Sequence, residues 1–466
     1  MTEITDGSDR LPAVQKKLLA AYSFGHFMTD LICAFGMISL ILCLQDRDQI
    51  VLLLFLYNFC AFALQMPVGL MADYADRNSV FAVFGLVLTA SVLLLPVYHF
   101  PVVFAVLLGI GNCCFHVGGG TDVLHFRTKK QWPLGVFVSP GAFGLFLGTL
   151  AAKMVSDPLQ SLLSENPSVS IGGGFVFPDS FSVLYASAVF LAPAVVLVSA
   201  VIVFSAAVFY LSPPGTSSGN GPVDIRPVCA GTKTVSTKTV RMKTDGAENV
   251  STKNVSTKNV SMGIPLAALI LFVLVVILRS YAGMTFSFSW KTGLWAFAVV
   301  AGVVLGKTCG GFLADRFGTG RTSFVTLLFC AFLFLFPDNP VCGTLAVFLF
   351  NMTMPLTLFE TAKMFPNARG FAFGILTTAL FIGFLPILAG FPEIPLPRPV
   401  FYASEALVSM IFLLTGLYIA GGKAGVMKTA GRERTEKQRD AGTEKQRDAG
   451  TEKQRDAGTE KQRDAG

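Results

Sequence analysis

Charge is scarce in this chain. Of its 466 residues only 14% are Asp, Glu, Lys or Arg while 53% are hydrophobic, and the charges gather in short clusters between long apolar runs. Each such run reaches, or nearly reaches, the roughly 20 residues that cross a bilayer as a helix, the pattern of a polytopic membrane protein. The nine cysteines contain no CxxC pair and fall mainly within the apolar runs, as with the adjacent Cys113 and Cys114. They read as buried small hydrophobes, so neither a disulfide framework nor a metal centre is expected. No glycine-rich nucleotide loop, metal-ligand spacing or nucleophile elbow occurs, so no enzyme and no cofactor are expected, and the missing Walker motif argues against ATP-driven transport. The segment before Leu18 mixes acids with bases and leads into a run too long for a signal h-region, so no cleaved targeting peptide is expected. The net charge of +7 sits mostly in a central loop and the tail, which suits an anionic leaflet rather than nucleic acid.

Twelve candidate spans can be read, near 18–44, 50–71, 79–99, 101–122, 132–154, 182–211, 263–286, 292–313, 322–337, 340–362, 370–391 and 400–421. An even count puts both termini on one side. That side collects Arg10, Lys16, Lys17, Arg77, Arg127, Lys129, Lys130, Arg316, Arg321, Lys363 and Arg369, against Arg47, Lys153, Lys291 and Arg398 opposite. The positive-inside rule therefore places both termini in the cytoplasm of a multi-pass protein of the inner or plasma membrane. The expected layout is a cytoplasmic N-terminus (1–17), a six-helix bundle (18–211), a linker (212–262), a second six-helix bundle (263–421) and a tail (422–466). The linker carries STKTV once and STKNV twice, and the tail ends in four copies of TEKQRDAG. Neither has apolar surface to offset chain entropy, so both are expected to be disordered.

The two bundles resemble each other. Residues 115–148 align without a gap on 350–383, with Phe115 on Phe350, Gly135 on Gly370, Leu145 and Phe146 on Leu380 and Phe381, and Gly148 on Gly383. Both stretches occupy the fourth and fifth spans of their half, so a duplicated six-span unit is the economical account. The loops after spans two and eight repeat as well, GLMADYADR (69–77) and GFLADRFGTGR (311–321). Glycine there lets helix ends approach, while the acid and arginine can cap helix termini and pair across the face, holding one conformation until a ligand offsets the loss. These loops, with six plus six spans, resemble the major facilitator superfamily. The resemblance implies an all-α fold of two pseudo-symmetric six-helix bundles, transport by alternating access, and a gating motif of Gly69, Asp73, Arg77, Gly311, Asp315, Arg316, Gly318 and Arg321. The N-terminal copy departs from the family form, with Tyr74 where an arginine is usual and Asp76 where a glycine is usual.

Few polar residues lie inside the spans, and an ionised one at mid-bilayer costs about 2.5 to 3.5 kcal/mol, so it usually faces a cavity and works there. Asp30 lies near the centre of span one with His26 one turn before it on the same face. His116 falls in span four, Arg279 in span seven, Lys307 in span eight and Asn351 in span ten. The resemblance implies that spans one, four, seven and ten line the central cavity, and the repeat sets His116 opposite Asn351. His26, Asp30, Phe115, His116, Arg279 and Asn351 are therefore the expected substrate or proton pathway. A structural alternative stands beside this: Asp30 permanently ionised against His26 or Arg279, Arg279 and Lys307 snorkelling to the interfaces, and Asn351 bonding a neighbouring helix.

Span five places Pro140 beside Gly141, Gly144 and Gly148; proline frees a backbone bond and glycines admit a close neighbour, so this is the expected flexing point. It partly resembles the proline–glycine motif of the family's antiporters, with Ser139 and Phe143 where glycine is preferred. HFMTD in span one and GIGNCCFHVGG in span four resemble the fosmidomycin-resistance type, with Val117 where that type has proline. The expected function is proton-coupled efflux of a small molecule by a monomer in the bilayer, with protons and the solute as partners. The alternatives are uptake or exchange of an organic anion held by Arg279, and a non-transporting sensor or scaffold.

Overall fold

The computed structural model describes residues 11–42, 44, 46–95, 100–126, 128–165, 227, 263–391 and 394–421. The expected sixth span, the linker apart from Pro227, the tail, Arg127 and the first ten residues lie outside them. No strand occurs among the described residues. Span one is α1 (Ala13–Leu42). Span two is composite, α2 (Arg47–Asn58), a π-helical turn (Phe59–Ala63) and α3 (Gln65–Ala75). Then follow α4 (Asn78–Val92), α5 (Pro101–Leu124), and span five as α6 (Trp132–Val138) with α7 (Pro140–Glu165). The second half has α8 (Gly263–Thr285), α9 (Gly293–Phe317), α10 (Thr319–Leu333), a divided span ten of α11 (Pro340–Asn351) and α12 (Thr353–Met364), α13 (Arg369–Leu388) and α14 (Arg398–Gly421). Nine of the described spans are long and apolar enough to cross a membrane, while α4 and α10 are shorter apolar helices.

Local chemistry sets these boundaries. Asp46 caps α2 by accepting the Asp48 N–H at 2.9 Å. Asn339 caps α11 by accepting from Val341 and Cys342 at 2.9 and 3.2 Å, and Pro340 occupies the first turn, where its missing N–H costs nothing. Span five breaks at Ser139 because Pro140 has no N–H to give the Val136 carbonyl. That carbonyl accepts the Ser139 and Ser23 hydroxyls instead, at 3.1 and 3.4 Å.

Two apolar cores form, one built around Tyr22, Ile32, Leu86, Phe115 and Phe137 and continued into the second half by Leu358, Phe373 and Leu376, the other around Phe272, Phe334, Phe350 and Tyr402. Large apolar side chains such as Phe324, Phe329 and Phe336 face outward, which suits surroundings of lipid rather than water. The halves meet where α13 packs on α3 and α9 packs on α6. In the first half α1 lies along α7 and beside α5, which brings spans one, four and five to one place. The seven described cysteines are free, most of them buried.

Candidate functional site

Three side chains from two helices form the polar centre of the first half. His26 and Asp30, one turn apart on α1, meet His116 of α5. The His26 Nε2 lies 3.3 Å from Asp30 Oδ2, the His116 Nε2 lies 3.6 Å from Asp30 Oδ1, and the two Nε2 atoms are 3.0 Å apart. Both remaining ring nitrogens are committed: His26 Nδ1 lies 2.9 Å from the Phe137 carbonyl and His116 Nδ1 2.9 Å from the Asn112 carbonyl. A carbonyl oxygen only accepts, so each Nδ1 carries hydrogen and donates. In a neutral imidazole the Nε2 is then a lone pair, and two lone pairs would face each other at hydrogen-bond distance. One added proton converts that arrangement into an N–H···N bond, with the Asp30 carboxylate alongside to balance its charge. The donor atoms of these three residues all lie within 4.8 Å of one another, the spacing a small cation would also need.

Access differs among the three. The histidine side chains are 8% and 10% exposed and that of Asp30 is 22%, so the acid is the member that meets an opening. Phe115, by contrast, is fully buried and lies edge-on to His116. It walls the cluster from behind.

The break in span five serves this cluster directly. Phe137, whose carbonyl holds His26, lies one turn before Gly141, and a Cβ at Gly141 would fall on Asp30 Oδ2 and His26 Nε2. At Gly144 a Cβ would strike the α1 backbone at the Phe27 carbonyl. The Pro140-Gly141-Gly144 segment, expected as a flexing point, is also the wall of the ionisable cluster.

The second half brings two cations, Arg279 and Lys307, into its spans. Arg279 on α8 donates from Nη2 to Thr353 Oγ1 at 2.7 Å, at the start of α12, and its buried Nε has no partner. Neither Arg279 nor Lys307 forms an ion pair with an acid among the described residues, so Arg279 is not the partner of Asp30. Asn351 turns back on its own helix, donating to the Val347 carbonyl at 2.8 Å. It stands opposite His116 in the alignment yet joins no contact with the cluster. Three participants escaped sequence reading. Asn112 and Tyr57 sit beside Cys33 under Asp30, with Asn112 Nδ2 3.5 Å from both the cysteine sulfur and the tyrosine hydroxyl. Thr353 looks like any helix-face threonine until the division of span ten presents it to Arg279.

On the face carrying the motif loops, the two halves exchange caps. Asp73 of the first half accepts the Gly370 and Phe371 N–H groups of α13, both at 2.8 Å. Asp315 of the second accepts those of Gln131 and Trp132 at the start of α6, at 2.7 and 3.0 Å. Each carboxylate thus sits where a helix N-terminus presents free N–H groups and positive dipole. Gly69 makes the approach possible, since a Cβ there would collide with the Gly370 backbone, and at Gly311 one would lie 2.8 Å from the Trp132 Cα. Gln131 extends the contact through Thr319 to Glu360, at 2.7 and 3.0 Å.

The motif arginines depart from expectation. Arg77, Arg316 and Arg321 are exposed and pair with no acid among the described residues; Arg316 lies over the Phe317 ring at 5.6 Å. The cross-face cation is Arg369, which donates to the Leu124 carbonyl. Asp73 and Asp315 face backbone N–H groups of the opposite half instead. Asp76 and Gly318, aligned in the two copies, both adopt positive φ, 51° and 88°. That backbone explains why glycine is usual there, and aspartate is among the few residues that tolerate it.

The profile of the Major Facilitator Superfamily matches residues 19–388. Among curated proteins none matches the sequence significantly. Solved structures do. The fucose:proton symporter FucP of E. coli covers 85% of this chain, with 98% of its own length, at 14% identity and TM-score 0.56. A structure of FucP in the outward conformation gives TM-score 0.57 at 12% identity, covering 86% of this chain and 98% of that one. The human organic anion transporter MFSD10 covers 86% of this chain and 100% of its own at 11% identity and TM-score 0.55. At such identities the structural likeness speaks for the fold, and the profile match over most of the length settles the family: this chain belongs to the Major Facilitator Superfamily, and is a membrane transporter rather than an enzyme.

Proposed function

We propose that the protein is a proton-coupled secondary transporter that exports a small molecule by antiport, with His26, Asp30 and His116 as the proton site. The observation that carries this is the 3.0 Å approach of two histidine Nε2 atoms whose Nδ1 atoms are both already donating. Such a pair is complete with one proton and frustrated with none, so it binds and releases a single charge. Asp30 stays beside it as counter-ion and as the route to the cavity. Antiport is supported by Gly141, which seats the proline–glycine segment against Asp30 and His26, so movement at the break would change the surroundings of the proton. The likeness of HFMTD and FHVGG to the fosmidomycin-resistance type points the same way. In this reading the motif face is cytoplasmic, both termini lie there, and the reciprocal aspartate caps hold that face shut until solute and proton exchange. The unit is a monomer of two six-helix bundles joined by the 212–262 linker.

A second reading, uptake or exchange of an organic anion, is favoured by the uncommitted donors of Arg279. The two differ in direction. Everted vesicles energised by respiration are acid inside; a panel of small solutes is added and lumenal pH followed with acridine orange. Export by antiport predicts that a transported solute enters and dissipates the gradient. Asp30→Asn and His116→Gln should reduce that signal to the background of empty vesicles, while solute exchange without a gradient persists within a few fold. Undiminished proton movement in both variants, or accumulation only in right-side-out vesicles, would sink the proposal.

A further inference from the structure

We infer that Arg279 and Lys307 form a binding subsite for an oxyanion group of the transported compound, facing the His26–Asp30–His116 cluster from the other half. The inference rests on the transport reading and names the class of its solute: a compound carrying a carboxylate, phosphate or similar group.

Asp30 has its two oxygens directed at the two histidines, 3.3 and 3.6 Å away. With a proton shared between those rings the cluster is neutral. Arg279 and Lys307 then remain, both partly buried among the helices, and neither forms an ion pair with an acid among the described residues. Glu405, the buried acid of α14, pairs with neither and leaves its Oε2 without a partner. A cation withdrawn from water without a counter-charge is costly, and inside a membrane protein it marks the path of an opposite charge. Arg279 has five donors in a planar fork, of which Nη2 is seen to hold Thr353 while Nε holds nothing. A fork with open donors matches the two oxygens of a carboxylate or phosphate group.

Placement supports a single pocket. Beside Lys307 on α9, Gly306 is packed on the Phe348 carbonyl and Asn351 Cβ, so this turn is level with the division of span ten that presents Thr353 to Arg279. The Lys307 carbonyl lies 2.7 Å from where a Cβ on Gly135 would stand. Gly135 is six residues, about 9 Å of helix, from Gly141 at the cluster. Lys307 lies within electrostatic reach of both Asp30 and Arg279. The turn that carries Lys307 thus lies about 9 Å along span five from the cluster, across the seam where α9 packs on α6, a separation that the long lysine side chain narrows. A solute bridging them would join the halves at the pivot, and gain or loss of the cluster's proton would alter the field it meets.

The test is binding without a gradient. The full chain, purified in detergent at fixed chloride, is melted with benzoate, phenylphosphonate or inorganic phosphate, and with uncharged benzamide as the size match. At least one anion is expected to raise the melting temperature in a saturable way while benzamide does not. Arg279→Gln and Lys307→Gln should each weaken that binding roughly 10- to 100-fold, as loss of a charged hydrogen bond does. Arg279→Lys should retain part of it. Stabilisation by none of the anions, equal stabilisation by benzamide, or unchanged binding in the Arg279→Gln/Lys307→Gln double variant would overturn the subsite. Where a glutamine variant does not fold, the contrast between anion and amide on the parent decides alone. Because the assay uses no proton gradient, anion binding that survives Asp30→Asn without coupling separates the two proposals; lost anion binding with intact coupling strikes only this one.

Discussion

Gly141 shows how much a single absent side chain can set. Its missing Cβ leaves the space that Asp30 Oδ2 and His26 Nε2 occupy, so any larger residue must displace the cluster or part α1 from α7. Gly141→Ala is expected to cost about 1 to 3 kcal/mol, the usual penalty for overpacking a tight contact, and to lower the melting temperature accordingly. Gly283 on α8 has nothing within 4 Å of its Cβ position, so Gly283→Ala should be neutral or stabilise by up to about 1 kcal/mol, since alanine favours the helix. Comparing the two melting curves checks the claim; equal effects would mean that the α1–α7 contact is loose enough to admit a methyl group. At this scale the sequence already displayed half of the site. His26 and Asp30 share a helix face by spacing alone, a purely local relation. Their meeting with His116, 90 residues away, has no local signature, because it depends on the rotation of α5 about its axis and on the break that frees the Phe137 carbonyl.

The informative elements are the helix ends on the motif face. Two carboxylates each accept two backbone N–H groups from the opposite half, so helix caps join the halves on this face. Loss of an N-cap costs about 0.5 to 2 kcal/mol. Asp73→Ala and Asp315→Ala should therefore each shift the conformational equilibrium roughly 2- to 30-fold toward the state open on that face. A Thr121→Cys reporter, fully buried near Gly370, reads this as faster thiol labelling in the cap variants than in the parent. Labelling that does not change would show the caps to be structural only. The exposed Arg77, Arg316 and Arg321 should have much smaller effects when replaced by glutamine. The motif was visible as a repeated glycine–aspartate pattern, and capping was among the roles its chemistry allowed. That the arginines stand aside was not visible, since the choice between a guanidinium and a helix end is made by which lies closer once the halves dock. The ungapped repeat carries a related lesson. Trp132, which opens α6, aligns with Asn367, two residues before Arg369 opens α13, so symmetry holds between elements but not residue by residue.

In the whole molecule the two halves contribute different charges. One half brings the titratable cluster, the other brings cations, and their seam is closed on the motif face by reciprocal caps. The four TEKQRDAG copies lie outside the described residues, and their sequence is balanced in charge and nearly free of apolar residues. Deleting residues 425–466 is expected to leave solute flux in vesicles within about twofold of the parent, since a charge-balanced repeat with almost no apolar residues offers little to pack against the helices. A lost phenotype with intact flux would instead favour the scaffold reading of the tail.

Sequence alone determined the properties that composition and period set: membrane-spanning helices, their approximate bounds, the repeated motif, and which rare polar residues stand within apolar spans. Those properties are local or statistical, and hydrocarbon imposes them on any chain that must satisfy its backbone within each segment. Tertiary structure decided which of those polar residues meet. It joined His116 to Asp30, turned Asn351 back on its own helix, kept Arg279 from Asp30, and gave the motif carboxylates to helix ends. The physical reason is that partner choice depends on helix rotation and on the level at which helices pack, and apolar spans leave both open until glycine contacts and proline breaks fix them.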